Sequence, residues 1–284
     1  METVLRPLRS VLYIPASRER ALEKARGLQA DAIIFDLEDA VAPDEKGPAR
    51  ALLAETLAEG GYGRRMRIVR INGLGTEWGR ADAEAAAAME CDAILVPKVD
   101  GPGDVAAVRE IVGGTPVWAM METPRGCLNA LAIAGAPGMA GFVMGTNDLT
   151  KELGARFRAD RMPMMAALGA CLMAARAAGI PCVDGVYNAF KDEDGLRAEC
   201  EQGRDMGMDG KTLIHPAQID VANAVFAPSP DEVALAQRQI AAFDEAVAAG
   251  QGVAVVDGKI VENLHVASAR ALLARAEAIA AMGT

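Results

Sequence analysis

Two short stretches, VWAMMETP around Glu122 and GFVMGTNDL around Asp148, each run apolar residues up to an acid and then break into a turn. An apolar strand that ends on a carboxylate carries a charged oxygen to the rim of a sheet, where a hard cation or a polar substrate can meet it. A pair of such acids suits Mg²⁺, which takes one or two protein carboxylates and completes its octahedron with water and substrate oxygens; Mn²⁺ can substitute. Taken singly, either acid reads equally as a helix cap or as one half of a surface ion pair.

Other ionisable groups fall at similar points along the chain. Arg70, in RIVRING, is a fixed cation with a planar donor fork, suited to a carboxylate, a thioester oxygen or a developing enolate. Its plainer reading is an ion pair with Glu38. Glu38 and Asp39 can hold water near a metal or orient Arg70, or they can pair with Lys98 at the end of the fourth apolar run. Asp184 lies in the seventh run and His215 ends the eighth. Arg20 and Lys24 stand one helical turn apart, a face that can grip phosphates or simply be solvated. Asp257, in the apolar stretch AVVDGKI, reads as an Asp-Gly turn or, if desolvated over a site, as a general base. Met120, Met121 and Met144 read as core filler and Cys127 as a buried, inert thiol.

The elements that must position these groups are eight β-rich runs: RSVLYIPA, AIIFDLED, RIVRING, AILVPKV, PVWAMMET, GFVMGTNDL, PCVDGV and KTLIHP. Segments of helical spacing separate them, among them SRERALEKARGL, with Ser17 as its expected N-cap. Strands alternating with helices imply parallel pairing and a closed (β/α)8 TIM barrel over residues 1–225, with an open doubly wound sheet as the alternative. Chemistry in a barrel gathers where strands end. Beyond the Pro-Ser-Pro break at Pro228 to Pro230, residues 226–284 read as a C-terminal helix-hairpin-helix extension, with Asp257-Gly258 as the hairpin turn. This tail is either a lid or exchange arm, or a helix packed across the barrel bottom.

Composition narrows the partners. A net charge of −10 without a basic block argues against nucleic acid or an anionic membrane surface. The five widely spaced cysteines fit buried thiols of a reducing compartment. The opening METVLRPLRS lacks a long apolar core, and acids interrupt every apolar run short of a membrane span, so a cytoplasmic location is expected. With His215 and His265 the only histidines and no CxxC or HExxH, zinc is disfavoured; without GxGxxG so is a Rossmann dinucleotide site.

Taken together, RSVLYIPASRERALEKA, DAIIFDLEDAV, RIVRING, ILVPKV, METPRG, GTNDLTKELG, GKTLIHPAQI and VVDGKI resemble the citrate lyase β-subunit-like and malyl-CoA lyase family of the HpcH/HpaI aldolase superfamily. The likeness runs from about Arg9 onward and is nearest to the short members that hydrolyse (3S)-malyl-CoA. It implies a Mg²⁺-dependent barrel, commonly a homotrimer, acting on CoA thioesters that carry a β-hydroxyl. By motif, Glu122 and Asp148 would hold the metal and Arg70 would contact the oxyanion. Asp257 would be the acid/base, supplied by a neighbouring subunit, and Arg20 and Lys24 would contact coenzyme A. The activity implied is hydrolysis to malate and CoA. Its alternatives are cleavage of malyl- or citramalyl-CoA to acetyl-CoA and a 2-oxo acid, or the role of a citryl-thioester lyase subunit. Two departures touch the coenzyme or lid surfaces: Ala16 where glycine is common after the YIP, and ENLH after Val261 where an aspartate and a proline are common.

Overall fold

Eight short strands close into a parallel barrel in simple sequence order. They are β1 (Ser10–Pro15), β2 (Ala32–Asp36), β3 (Met66–Arg70), β4 (Ala93–Val96), β5 (Val117–Met121), β6 (Met139–Met144), β7 (Cys182–Asp184) and β8 (Gly210–Leu213). Closure is made by β8 lying beside β1, with Ser10 opposite Lys211. The computed structural model describes residues 6–282, so the first five residues, on which the reading of the amino terminus partly rests, lie outside it.

Alternation along each strand sorts the side chains into two layers. Val11, Ile34, Ile68, Leu95, Trp118, Met120, Val143 and Val183 fill the barrel interior. Their neighbours Leu12, Ile33, Phe35, Val69, Ile94, Ala119 and Phe142 pack outward against the helices. With both faces covered, the strands can be short and continuously apolar, as they are in the sequence. The largest interior ring needs a gap opposite it: a Cβ built on Gly141 would lie 2.7 Å from Trp118 Cζ2, so the glycine on β6 makes room for the indole on β5.

The same alternation carries Asp36, Arg70 and Glu122 into the mouth, because they share parity with Ile34, Ile68 and Met120. It corrects the placement of Asp184. Val183 faces inward, so Asp184 faces the helix layer, fully buried, where Lys211 Nζ lies 3.1 Å and Arg161 2.7 Å from its carboxylate. Asp184 therefore ties β7 and β8 to the loop before the helix Met165–Ala178. His215 is likewise structural: its Nδ1 accepts from the Ala217 amide at 3.1 Å and its ring stacks on Phe190. Ser17 is not the N-cap of the first helix. That helix runs Glu19–Ala25 behind Arg18, and the buried Ser17 hydroxyl has no partner among the described residues.

The described chain divides into two compact units, the barrel of residues 8–226 and a C-terminal unit beginning at residue 227, to which residues 6 and 7 also belong. The second unit is built from a helix (Pro230–Ala248), a hairpin of β9 (Ala254–Val256) and β10 (Lys259–Val261), and a final helix (Asn263–Met282). Ser229 opens the first helix with a capping box: its hydroxyl accepts from the Glu232 amide, and Glu232 accepts from the Ser229 amide at 2.7 Å. Ala246, Ala254, Val261 and Val266 form its small core. Asp257 and Gly258 turn the hairpin with φ of 49° and 74°, the left-handed pair that a two-residue turn requires. Among the described residues, no helix is long and apolar enough to cross a membrane.

Candidate active site

Arg70 is the best-anchored cation at the barrel mouth. β2 and β3 pair in register with Asp36 opposite Arg70, and the two side chains meet as a fork. Arg70 Nε donates to Asp36 Oδ1 at 2.7 Å and a terminal nitrogen donates to Oδ2 at 2.6 Å. The other terminal nitrogen lies 2.8 Å from Glu38 Oε2 and donates to Asp39 Oδ2 at 3.4 Å. Burial opposes the charge, but Asp36 more than offsets it, and the guanidinium is held well above its ordinary value. Glu38 and Asp39 thus pair with Arg70, neither makes an ion pair with Lys98 among the described residues, and the plain reading of Arg70 as Glu38's partner holds alongside its position in the mouth.

The loop carrying those two acids is pinned from beneath. Buried Lys46 donates to the carbonyls of Leu37 and Glu38 at 2.9 and 2.6 Å and to Asn72 Oδ1 at 2.8 Å. One lysine thereby fixes the end of β2 against the end of β3.

Glu122, 2% exposed, follows β5 directly. Its Oε1 accepts from the Lys98 amide at 2.7 Å, a contact made while Lys98 holds a left-handed φ of 52°. So the backbone of Lys98, rather than its ammonium, serves the site. A Cβ on Gly145 would stand 2.6 Å from Glu122 Oε2, and the glycine that ends β6 is what admits the carboxylate. Asp148 sits in the first turn of the helix Thr146–Glu152, with no side-chain cap bond at that helix's start. β5 and β6 are paired through Met121 and Met144, which sets the two acids on neighbouring strand ends.

Tyr13, Asp36, Asp39, Arg70, Glu122 and Asp148 line one cleft of about 310 Å³, floored in part by Met120 and Met144. Those methionines are both core and cleft wall. Lys98, Arg20 and Lys24 do not line it; the last two stand exposed on the helix after β1. Asp257 belongs to the C-terminal unit, where its side chain is 62% exposed and accepts from Arg238 at 2.7 Å.

The cleft carries more negative charge than Arg70 can balance. Burial, together with the charges of Glu38 and Asp148, pushes Glu122 up to about 7, and burial likewise pushes Glu38 up to about 7 against the pull of Arg70. A buried carboxylate raised by like charges is what a dication would relieve, and all the donors are hard oxygens, so Glu122 and Asp148 fit Mg²⁺ or Mn²⁺. Among the described residues no three His, Cys, Asp or Glu converge as a metal cluster.

The sign of these shifts predicts a pH dependence. Both folded-state values lie above the ordinary 4.5, so between 4.5 and about 7 the native chain binds more protons than the unfolded one. The stability the two groups contribute is present at low pH and is lost as pH rises through that window. The melting temperature of the metal-free chain should fall across it, Glu38→Gln should flatten the fall, and Mg²⁺ should raise the midpoint more at the alkaline end.

Asp36, Tyr13 and Lys46 were not singled out in the sequence. A signal for Asp36 is there, since it continues the inward alternation Ala32, Ile34 and sits at the end of its run as Arg70 does. Nothing local distinguishes Lys46 from a surface lysine.

The HpcH/HpaI aldolase/citrate lyase family model matches residues 9–216. A (3S)-malyl-CoA thioesterase of Cereibacter sphaeroides is 70% identical over 275 residues, covering 97% of this chain and 96% of the relative. The citrate lyase subunit beta of Escherichia coli is 34% identical, covering 96% of this chain and 94% of that one. The crystal structure of the protein CitE from Mycobacterium tuberculosis in complex with magnesium, acetoacetate and coenzyme A superposes with a TM-score of 0.81 at 32% identity, covering 96% of this chain and all of that one.

Proposed function

The chain belongs to the HpcH/HpaI aldolase/citrate lyase family, and from that membership we propose that it is a Mg²⁺-dependent enzyme that hydrolyses (3S)-malyl-CoA to malate and free CoA. The observation that carries this reading is the cleft itself, where a guanidinium locked by Asp36 faces the buried Glu122 and the neighbouring Asp148. A carboxylate pair beside a fixed donor is what a substrate with a hydroxyl, a carboxylate and a thioester carbonyl needs at one end.

Glu122 and Asp148 hold the metal. When bound, Mg²⁺ supplies the positive charge that draws the malyl oxygens into the cleft. Arg70 donates to the thioester oxygen, with Asp36, Glu38 and Asp39 fixing the plane of the guanidinium and the Lys98 amide fixing Glu122. Asp257 takes a proton from water as it attacks the carbonyl. A C–O bond forms, the carbonyl electrons move onto oxygen against Arg70, and their return breaks the C–S bond and releases CoA as thiolate, which is then protonated. Arg20 and Lys24 take the coenzyme phosphates.

Asp257 reaches the cleft from a neighbouring copy in a homotrimer. In support, the hairpin around it leaves Val255 and Ile260 exposed and the helix that follows leaves Leu264 exposed, apolar surface suited to covering a docked thioester. The free thiols Cys91, Cys127, Cys171, Cys182 and Cys200 fit a reducing cytoplasm.

The test is to incubate the protein with malyl-CoA and Mg²⁺ and follow free thiol and glyoxylate together. Thiol without glyoxylate is expected. Glyoxylate would favour the second reading, a carbon–carbon lyase, for which the citrate lyase subunit beta relatives speak.

A further inference from the structure

Three tyrosines occur in the chain, and two of them give their hydroxyl proton to strong acceptors. Tyr62 donates to the Leu22 carbonyl at 3.1 Å and Tyr187 to the Asp192 carboxylate at 2.6 Å. Tyr13 differs. It projects from β1 into the wall of the cleft, and its hydroxyl donates to the thioether sulfur of Met120 at 3.4 Å. A thioether is a weak acceptor, so this proton is available to any better oxygen that enters. Burial pushes the phenol far above its ordinary value, and it stays a neutral donor.

Its position relative to Arg70 gives that proton a use. The guanidinium carbon stands 5.0 Å above the Tyr13 ring, so the two side chains flank the same space. Arg70 is heavily committed: Nε and one terminal nitrogen are taken by Asp36, and the other terminal nitrogen faces Glu38 and Asp39. Ringed by three carboxylates, it meets a new negative charge with its own charge already largely balanced. An oxyanion in this cleft is better served by a second donor that no carboxylate has claimed.

We propose that the Tyr13 hydroxyl is a second donor to the thioester oxygen, acting beside Arg70 as negative charge gathers there. This rests on the reading that a CoA thioester occupies the cleft. As the attacking oxygen bonds to the carbonyl carbon, the π pair moves onto the carbonyl oxygen. That oxygen accepts hydrogen bonds from Tyr13 and Arg70 without taking a proton. When the pair returns to re-form the carbonyl, the C–S bond breaks and both donors relax.

Tyr13→Phe removes the hydroxyl and keeps the ring under Arg70, so the variant should fold, melt and bind Mg²⁺ as the parent does. With malyl-CoA, kcat should fall by about a hundredfold while KM stays within about twofold, because the bond strengthens only as charge develops. A kcat within about twofold of the parent, or a loss carried by KM, Mg²⁺ affinity or melting instead, would overturn the assignment. Products are followed in the parent alongside. Glyoxylate there overturns the thioesterase reading but not this one, since the enolate oxygen of carbon–carbon cleavage gathers the same charge. A parent inert towards malyl-CoA overturns both.

Discussion

Asp257→Asn should leave the protein folded, able to bind Mg²⁺ and able to take up malyl-CoA, yet lower kcat by about 10²- to 10⁴-fold, the usual worth of a positioned general base. The substitution is well matched to the question. Asp257 holds a φ of 49° ahead of Gly258, and asparagine is among the few residues that share aspartate's tolerance for that region, so the turn survives. The ion pair to Arg238 is exposed, and losing its charge removes little stability. What the variant lacks is a carboxylate able to accept a proton. Unchanged melting and unchanged Mg²⁺ titration, alongside lost turnover, would assign the loss to chemistry; turnover at the parent rate would remove Asp257 from the mechanism.

The same variant reports where the carboxylate comes from. If a neighbouring copy supplies it, a site can be assembled from the Arg70 of one chain and the Asp257 of another. Mixing Asp257→Asn with an Arg70 variant, each inactive alone, should then restore part of the activity. An arrangement within one chain would restore none. The exposed Val255 and Ile260, opposite one another in the hairpin, are the surface such an exchange would cover.

Periodicity made most of the barrel legible. Each strand was a short apolar run bounded by a break, and covering both faces leaves no other composition open to it. The hairpin was legible for a different reason, since Asp-Gly between apolar residues admits few other conformations. Parity within the strands was harder to see. Asp184 ends its strand and Glu122 directly follows its own, but one step of alternation sends Asp184 into the helix layer beside Lys211, and only the structure fixes which residue of β7 faces inward. The supports of the site were hidden because they act across long separations. Lys46 reaches the end of β2 from the next helix, and Gly145 shapes Glu122 from the next strand. Neither relation leaves a trace in local spacing.

Replacing Arg70 by lysine should cost at least about a hundredfold in kcat, although the charge is kept, because the loss is one of geometry. The guanidinium spans Asp36 with two parallel bonds and still lines the cleft. An ammonium is a point donor on a flexible stem; bonded to Asp36 it has no rigid edge left for the thioester oxygen, and turned toward the cleft it abandons Asp36, which is 1% exposed. Breaking a buried pair in that way typically costs about 3–5 kcal/mol. Activity and stability should therefore fall together in Arg70→Lys, measured by steady-state kinetics and denaturant melts. Tyr13→Phe, which removes a donor and no buried charge, should lower activity alone. If Arg70→Lys instead kept its kcat while losing stability, Arg70 would be a strut for the β2–β3 seam, and the oxyanion would have to be met by Tyr13 and the metal.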